Sequence, residues 1–149
     1  MSRIVFRAAT LRDEDALVDL AVESVSRDPL PVKVSTSAMR ETFRAIVGRP
    51  AHFVWVAEQD GKVVASVVAQ VGAGFWFERL QCSVLLYYSR QPGAGVPLLR
   101  RFAAWVKGRT AIKIAVFELE PGVDPRLMRL LARLGFARQS SNLSFVRGA

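Results

Sequence analysis

The sequence predicts a single mixed α/β domain spanning residues 1–149, and three observations carry that prediction. Stretches rich in β-branched and aromatic residues alternate with stretches whose apolar residues recur at helical spacing. Two of the β-rich stretches flank Asp60-Gly61, a dipeptide that readily takes the positive φ values of a tight turn, so part of the sheet is antiparallel. With 149 residues and 51% hydrophobic composition, the chain has the size of one compact domain and material for a substantial core. It contains no internal repeat, low-complexity tract or linker.

Each element has its own local reason. Arg3 to Ala9, "RIVFRAA", reads as a short first strand. In "TLRDEDALVDLAVESVSR", Ala16, Leu17, Leu20, Ala21 and Val25 recur at helical spacing, Thr10 or Asp13 can cap the start, and Asp28-Pro29 ends the helix. A second helix follows in "STSAMRETFRAIVGRP", with a Ser/Thr cap and Gly48 as its stop. The hairpin around Asp60-Gly61 comes next, and "ERLQCSVLLYY" reads as a central strand because its end is apolar on both faces. "GVPLLRRFAAWVKGR" predicts a helix with Pro97 in its first turn and Gly108 at its end. "AIKIAVFELE" is another strand. In "DPRLMRLLARLGF", Asp124 serves as cap, Pro125 as first helical residue and Gly135 as terminator, and "ARQSSNLSFVRG" closes the chain with short strands.

The junction "SRQPGAGVPLLRRF", Ser89 to Phe102, asks for a chemical reading. A strand that passes through a Gly-rich turn directly into a helix creates an anion site, because the first helical N–H groups have no intrahelical partner and carry partial positive charge. Gly93 and Gly95 allow the backbone to approach a ligand closely, and Arg90, Arg100 and Arg101 add charge nearby. The turn matches neither the phosphate loop Gly-x-x-x-x-Gly-Lys-Ser/Thr nor the dinucleotide fingerprint Gly-x-Gly-x-x-Gly. Its bland alternative is a simple connecting turn.

The formal net charge of +8 favours anionic partners, but the 21 Lys and Arg residues are spread along the chain without a dense basic arm, which argues against nucleic acid. No apolar run approaches the ~18 residues of a membrane span, and the N-terminus has no uninterrupted signal-type apolar segment. The single cysteine, Cys82, lies in an apolar run and reads as buried packing; its solitude suits a reducing cytoplasm, the expected compartment. His52 beside Pro50 reads as an ordinary surface histidine. There is no His/Cys cluster with metal spacing, so no metal is expected, and the Ser, His and Asp residues are too scattered to nominate a hydrolytic triad.

"RQPGAG", Arg90 to Gly95, resembles the Gln/Arg-x-x-Gly-x-Gly/Ala motif of the GNAT superfamily of acyl-CoA-dependent N-acyltransferases, with every motif position filled. "VPLLRRFAAWVKGR" looks like that family's helix after the pyrophosphate loop, and "LARLGFARQ" like its helix ending in Gly-Phe. The block from Leu85 to Lys107 is also similar to small GNAT-like proteins encoded by bacteriophages, for which the compartment would be the host cytoplasm. The resemblance implies a mostly antiparallel mixed sheet of six to seven strands flanked by about four helices, its fourth and fifth strands splayed around acetyl-CoA. By that analogy the backbone of Leu85, Leu86 and Tyr87 pairs with pantetheine, and Arg90, Gln91, Pro92, Gly93, Ala94, Gly95 and Val96 wrap the pyrophosphate.

The implied reaction is attack of an amine acceptor on the thioester, with a base for the amine and an acid for the departing thiolate. Glu78, at the start of the fourth strand in "FWFERLQ", is the favoured base and can equally be a solvated strand-end charge; Glu118 and Glu120, at the end of the fifth strand, are second choices that read first as solvated loop-entry charges. The family's usual acid position, counted from Gly135-Phe136, is occupied by Leu131, and the usual upstream Asn by Asp124. Tyr88 is then the candidate acid, against a packing role for Tyr87 and Tyr88 alike. Trp55 reads as core, whereas "GAGFWFE" offers Phe75, Trp76 and Phe77 as walls of an acceptor pocket. The leading expectation is an acetyl-CoA-dependent N-acetyltransferase. A non-catalytic GNAT-like acyl-CoA-binding or structural module stands second because of Leu131, a basic nucleic-acid-binding domain stands third, and a homodimer is compatible with all of these.

Overall fold

In the computed structural model, which describes residues 2–148, Asp60 and Gly61 sit at φ values of 54° and 75° and close the predicted hairpin. The elements are β1 (Val5–Ala8), a 3-10 turn (Leu11–Asp13), α1 (Glu14–Arg27), α2 (Thr36–Ile46), β2 (Phe53–Gln59), β3 (Lys62–Ala73), β4 (Leu80–Ser89), α3 (Pro92–Gly108), β5 (Ile112–Val116) and α4 (Pro125–Arg133). They form a mixed α/β fold around one sheet of strand order β1-β2-β3-β4-β5. Neighbours from β1 to β4 run antiparallel, and β5 alone is parallel to its neighbour, because α3 carries the chain back across the sheet.

Both faces of the sheet are covered. On one, Leu17, Leu20, Phe43 and Ile46 of α1 and α2 bury against Val54, Val56, Val68 and Leu86. On the other, Leu98, Leu99 and Phe102 of α3 recur at helical spacing and bury against Phe53, Val67, Ala69 and Cys82, with Leu131 of α4 beside them. Each fully buried Leu or Phe contributes about 1.5–3 kcal/mol. Strands β2 and β3 are therefore apolar on both faces, and β4 lies in the interior of the sheet between β3 and β5. Glu14 clamps the two helices of the first layer by pairing with both Arg40 and Arg44.

Three sequence expectations change. Among the described residues five strands form, where the resemblance implied six to seven. Residues 137–148, expected to close with short strands, form none, and Leu143 and Phe145 are 102% and 81% exposed. The polar run Arg138 to Asn142 offers no apolar face to hold this segment on a sheet. Helix α3 also starts earlier than its apolar spacing suggests, so Pro92 occupies the first turn and Pro97 lies inside the helix. Pro97 supplies no N–H to the carbonyl of Gly93, an exposed residue. Among the described residues no helix is long and apolar enough to cross a membrane.

Candidate functional site

The site is a fork in the sheet. Strands β4 and β5 pair from Leu80↔Ile112 through Cys82↔Ala115 to Ser83↔Val116, and there the pairing stops. Strand β4 continues to Ser89 with β3 on one side only. On that other side, Leu86 pairs with Val68 and Val84 with Ala69, so Leu85 is the extra residue of a bulge and stands 48% exposed. The stretch from Val84 to Ser89 thus presents an unpaired strand edge to the gap, and a strand edge is a template for an extended ligand. Aromatic rings close the α3 side of this gap: Tyr87 meets Phe117 edge-on at 6.0 Å, Phe117 meets Phe136 at 6.3 Å, and Phe136 stacks on Phe102 at 5.8 Å.

The open edge leads directly into the first turn of α3. Side chains cap α2 and α4: Ser35 accepts from the Ala38 N–H and Asp124 from the Arg126 N–H, whereas α1 has no side-chain cap and is entered through a 3-10 turn in which Asp13 accepts the Thr10 N–H. At α3, Gln91 occupies the capping position without making a side-chain cap, and its amide instead donates to Gln59 at 2.7 Å. No acidic residue stands in that first turn. Pro92 has no N–H and the Ala94 N–H donates to the Gln91 carbonyl at 3.2 Å, so this start offers an anion the Gly93 N–H and the positive end of the helix dipole.

The two motif glycines differ in kind. A Cβ on Gly93 would meet only the tip of Ile4 at 3.8 Å, so this position is open toward solvent. A Cβ on Gly95 would collide with the Tyr87 hydroxyl and come within 2.9 Å of Ser89 Cβ. Gly95 is buried, as is Ala94, and what it permits is close packing of α3 on β4. Of the nearby cations, Arg90 is engaged by Glu23 at 2.8 Å and donates to the Val63 carbonyl at 3.3 Å, while Arg101 lies over the rings of Trp55 and Phe6. Trp55 stacks on Phe53 and belongs to the packing of that face.

The remaining candidates separate. Glu78 lies before β4, in the exposed loop between β3 and β4, and not at the strand start. Phe75 and Trp76 of that loop meet edge-on at 4.7 Å but are 85% and 88% exposed, so they wall no pocket. Tyr88 lies at the opposite end of β4. At about 3.3 Å per residue, the eight steps from Leu80 to Tyr88 put them roughly 26 Å apart. One thioester therefore has room for Glu78 or Tyr88, but not both. The Tyr88 hydroxyl is buried on the α1 side and meets no hydrogen-bond partner at bonding geometry among the described residues. Leu131 is buried in the core. Asp124 is bound by Arg126, which holds its carboxyl below the usual range. Cys82 is buried and its thiol is pushed up to about 11, consistent with packing. His52 accepts the Val71 N–H on Nδ1 at 3.0 Å and is held toward the neutral form by burial and by Arg49.

The sequence left Glu23 and Gln59 unremarked because their partners, Arg90 and Gln91, are 67 and 32 positions away. Glu118 gains weight from the register. It follows the last paired residue Val116 by two positions, as Leu85 follows Ser83, and is exposed just beyond the end of β5.

No protein-family model and no curated protein matches this chain at a significant level. Solved structures do. A predicted acetyltransferase from Clostridium acetobutylicum, solved with acetyl-CoA, superposes with a TM-score of 0.73 at 15% identity, covering 97% of this chain and 96% of its own. An aminoglycoside acetyltransferase from an uncultured soil metagenomic sample, in complex with trehalose, gives 0.68 at 11% identity over 98% and 96%. The ribosomal-protein-alanine N-acetyltransferase of Brucella melitensis biovar Abortus 2308 gives 0.65 at 17% identity over 99% and 100%. The chain has the fold of the GNAT acetyltransferases.

Proposed function

We propose that the chain is an acetyl-CoA-dependent N-acetyltransferase, and the observation that carries this reading is the parting of β4 from β5 after Ser83↔Val116, beside an uncapped helix start. Pantetheine is an extended chain with two amides, which the free edge of Leu85 to Tyr87 can pair with as a further strand would. Pyrophosphate suits the first turn of α3, where the Gly93 to Val96 backbone supplies N–H groups and no carboxylate opposes it. The ligand then runs back along β4 and its thioester falls near the bulge.

There the amine attacks the thioester carbonyl; a C–N bond forms, the C–S bond breaks and the thiolate leaves. The carboxylate we assign to take the amine proton is Glu118, because Glu78 lies in the loop before Leu80, itself about 16 Å of strand from Leu85. With a leucine at the family's Tyr position, the thiolate departs without a dedicated acid. Its thiol pKa of ~8.5 makes that feasible and slow.

Calorimetry with CoA, acetyl-CoA and desulfo-CoA, followed by an amine panel read by thiol release, tests the reading. Binding with turnover supports it, and absence of CoA binding overturns it. The buried Leu131 favours a second reading, an acyl-CoA-binding module without catalysis, which predicts binding with no transfer to any amine.

A further inference from the structure

The loop between β3 and β4 has a firm base and a tip that stands in water. The Gly74 N–H donates to the Arg79 carbonyl at 2.9 Å, closing the loop just beyond the pair Ala73↔Leu80. Phe77 folds back over Gly74, so closely that a Cβ there would collide with its ring. Between these two residues Phe75 and Trp76 are almost wholly exposed, their rings edge-on to each other. An apolar pair held in water on a braced loop marks a contact surface. The same end of the sheet is cationic. Arg79 closes the loop, and the Leu80 N–H donates to the Ala111 carbonyl at 3.0 Å, which brings in the turn holding Arg109. The Val71 N–H donates to His52, whose own N–H donates to the Arg49 carbonyl. All three arginines are exposed, and none forms a salt bridge among the described residues. Arg109 rests on the Trp105 ring at 4.7 Å. Glu78 is the one carboxylate in the loop, whereas Glu58, Asp60, Glu118 and Glu120 lie at or beyond the far ends of β2 and β5.

We propose that this end of the molecule docks on an anionic lipid surface, with Phe75 and Trp76 entering the headgroup region and Arg49, Arg79 and Arg109 meeting its phosphates. An indole suits that boundary because its ring is apolar while its N–H stays in a wet layer. Apolar insertion and attraction to anionic lipid add to one another, which is how a short segment holds to a bilayer without spanning it. A second copy fits the tip less well, since pairing tip to tip would bring the three arginines of each copy against their own kind. A single-stranded nucleic acid asks for separate ring platforms, and here the two rings close on each other instead. The docking end also leaves the fork free: the nine steps of β4 from Leu80 to Ser89 carry the glycine-rich turn roughly 30 Å away.

Cosedimentation of the full chain with vesicles of equal parts phosphatidylglycerol and phosphatidylcholine, and with phosphatidylcholine alone, tests this beside tryptophan fluorescence. Wild type is expected to bind the anionic vesicles and to shift its emission to the blue, because Trp76 is exposed while Trp55 and Trp105 are half-buried. Phe75→Ser with Trp76→Ser should weaken binding about tenfold or more and abolish the shift. Arg49→Gln with Arg79→Gln should weaken it by about fivefold for each cation removed, and raised salt should do the same. Both variants should melt as wild type, since these side chains are exposed. No binding to anionic vesicles, or equal binding by the serine variant, would overturn the proposal. So would self-association in solution that the serine variant abolishes, or binding to a single-stranded oligonucleotide in place of vesicles.

Discussion

Ser83 and Val116 are the last pair to join β4 to β5, and beyond them six residues of β4 have a strand on one side only. Amides within paired strands exchange slowly with solvent, whereas those on an open edge exchange quickly. Hydrogen exchange should therefore find fast, in the free protein, those amides between Val84 and Ser89 that face away from β3, and protected ones from Gln81 to Ser83. Added acetyl-CoA should slow exchange in Val84–Ser89 and at Gly93 to Val96 by about tenfold or more if it completes the edge. Protection elsewhere with none along this stretch would mean that the ligand does not lie in the fork.

Gly93 and Gly95 make opposite predictions despite their shared motif. Gly93→Asp adds bulk and negative charge where phosphate would sit, yet meets nothing but the tip of Ile4, so the fold should melt as wild type while CoA affinity falls by about tenfold or more. Gly95→Ala drives a methyl into Tyr87 and Ser89, and overpacking of this kind costs about 1–3 kcal/mol. Denaturant unfolding of the two variants beside calorimetry separates the contacts. Loss of stability in Gly93→Asp would show that the turn is packed and not open.

Most of the element order could be read locally. Asp60-Gly61, the Ser35 and Asp124 caps and the helical spacing of Leu98, Leu99 and Phe102 each act over a few residues, and each appears where its chemistry places it. What could not be read is what depends on a distant partner. "SSNLSFV" alternates well enough to suggest a strand, but a strand exists only where another edge receives it. Pro97 looked like a helix start because Pro92 lies in a glycine-rich run, whereas packing of Ala94 and Gly95 extends the helix back to Pro92. The glycine-rich turn was legible as the junction between a strand and a helix. Glu78 was misplaced by one loop, since "FWFERLQ" has no local signal for where pairing with Ala73 begins.

Arg7 grips Asp13 through two parallel hydrogen bonds of 2.8 and 2.9 Å, and Asp13 also accepts the Thr10 N–H at 2.8 Å. Asp13 is buried, and above all the Arg7 bonds hold its carboxyl below the usual range. A carboxyl depressed in the folded state adds stability that is present above its unfolded pKa, about 3.9, and is lost as pH falls through the lower folded value. Asp13→Asn should therefore cost about 2 kcal/mol at pH 7, and the gap from wild type should close below about pH 4. Urea unfolding at several pH values measures this. A gap that persists unchanged at low pH would assign the loss to side-chain shape and not to charge.

Glu118 and Glu78 compete for the role of base, and the register decides which is expected to matter. Continuing the pairing beyond Ser83↔Val116 brings Glu118 level with Leu85, the bulged residue beside which the thioester would lie. Glu78, ahead of Leu80 in an exposed loop, would need that loop to fold over the sheet. General-base help is worth ~10²–10⁴-fold, so Glu118→Gln should lower kcat/KM about 100-fold near neutral pH. The loss should shrink as pH rises toward the pKa of the acceptor amine, ~10.4 for a lysine, because an amine already deprotonated needs no base. Acetyl-CoA affinity should stay within about twofold, since the carboxylate acts on the amine and not on the cofactor. Glu78→Gln should leave both quantities within about twofold. The opposite pattern, a loss in Glu78→Gln with Glu118→Gln unaffected, would mean that the loop closes over the fork during turnover and would return the base to Glu78.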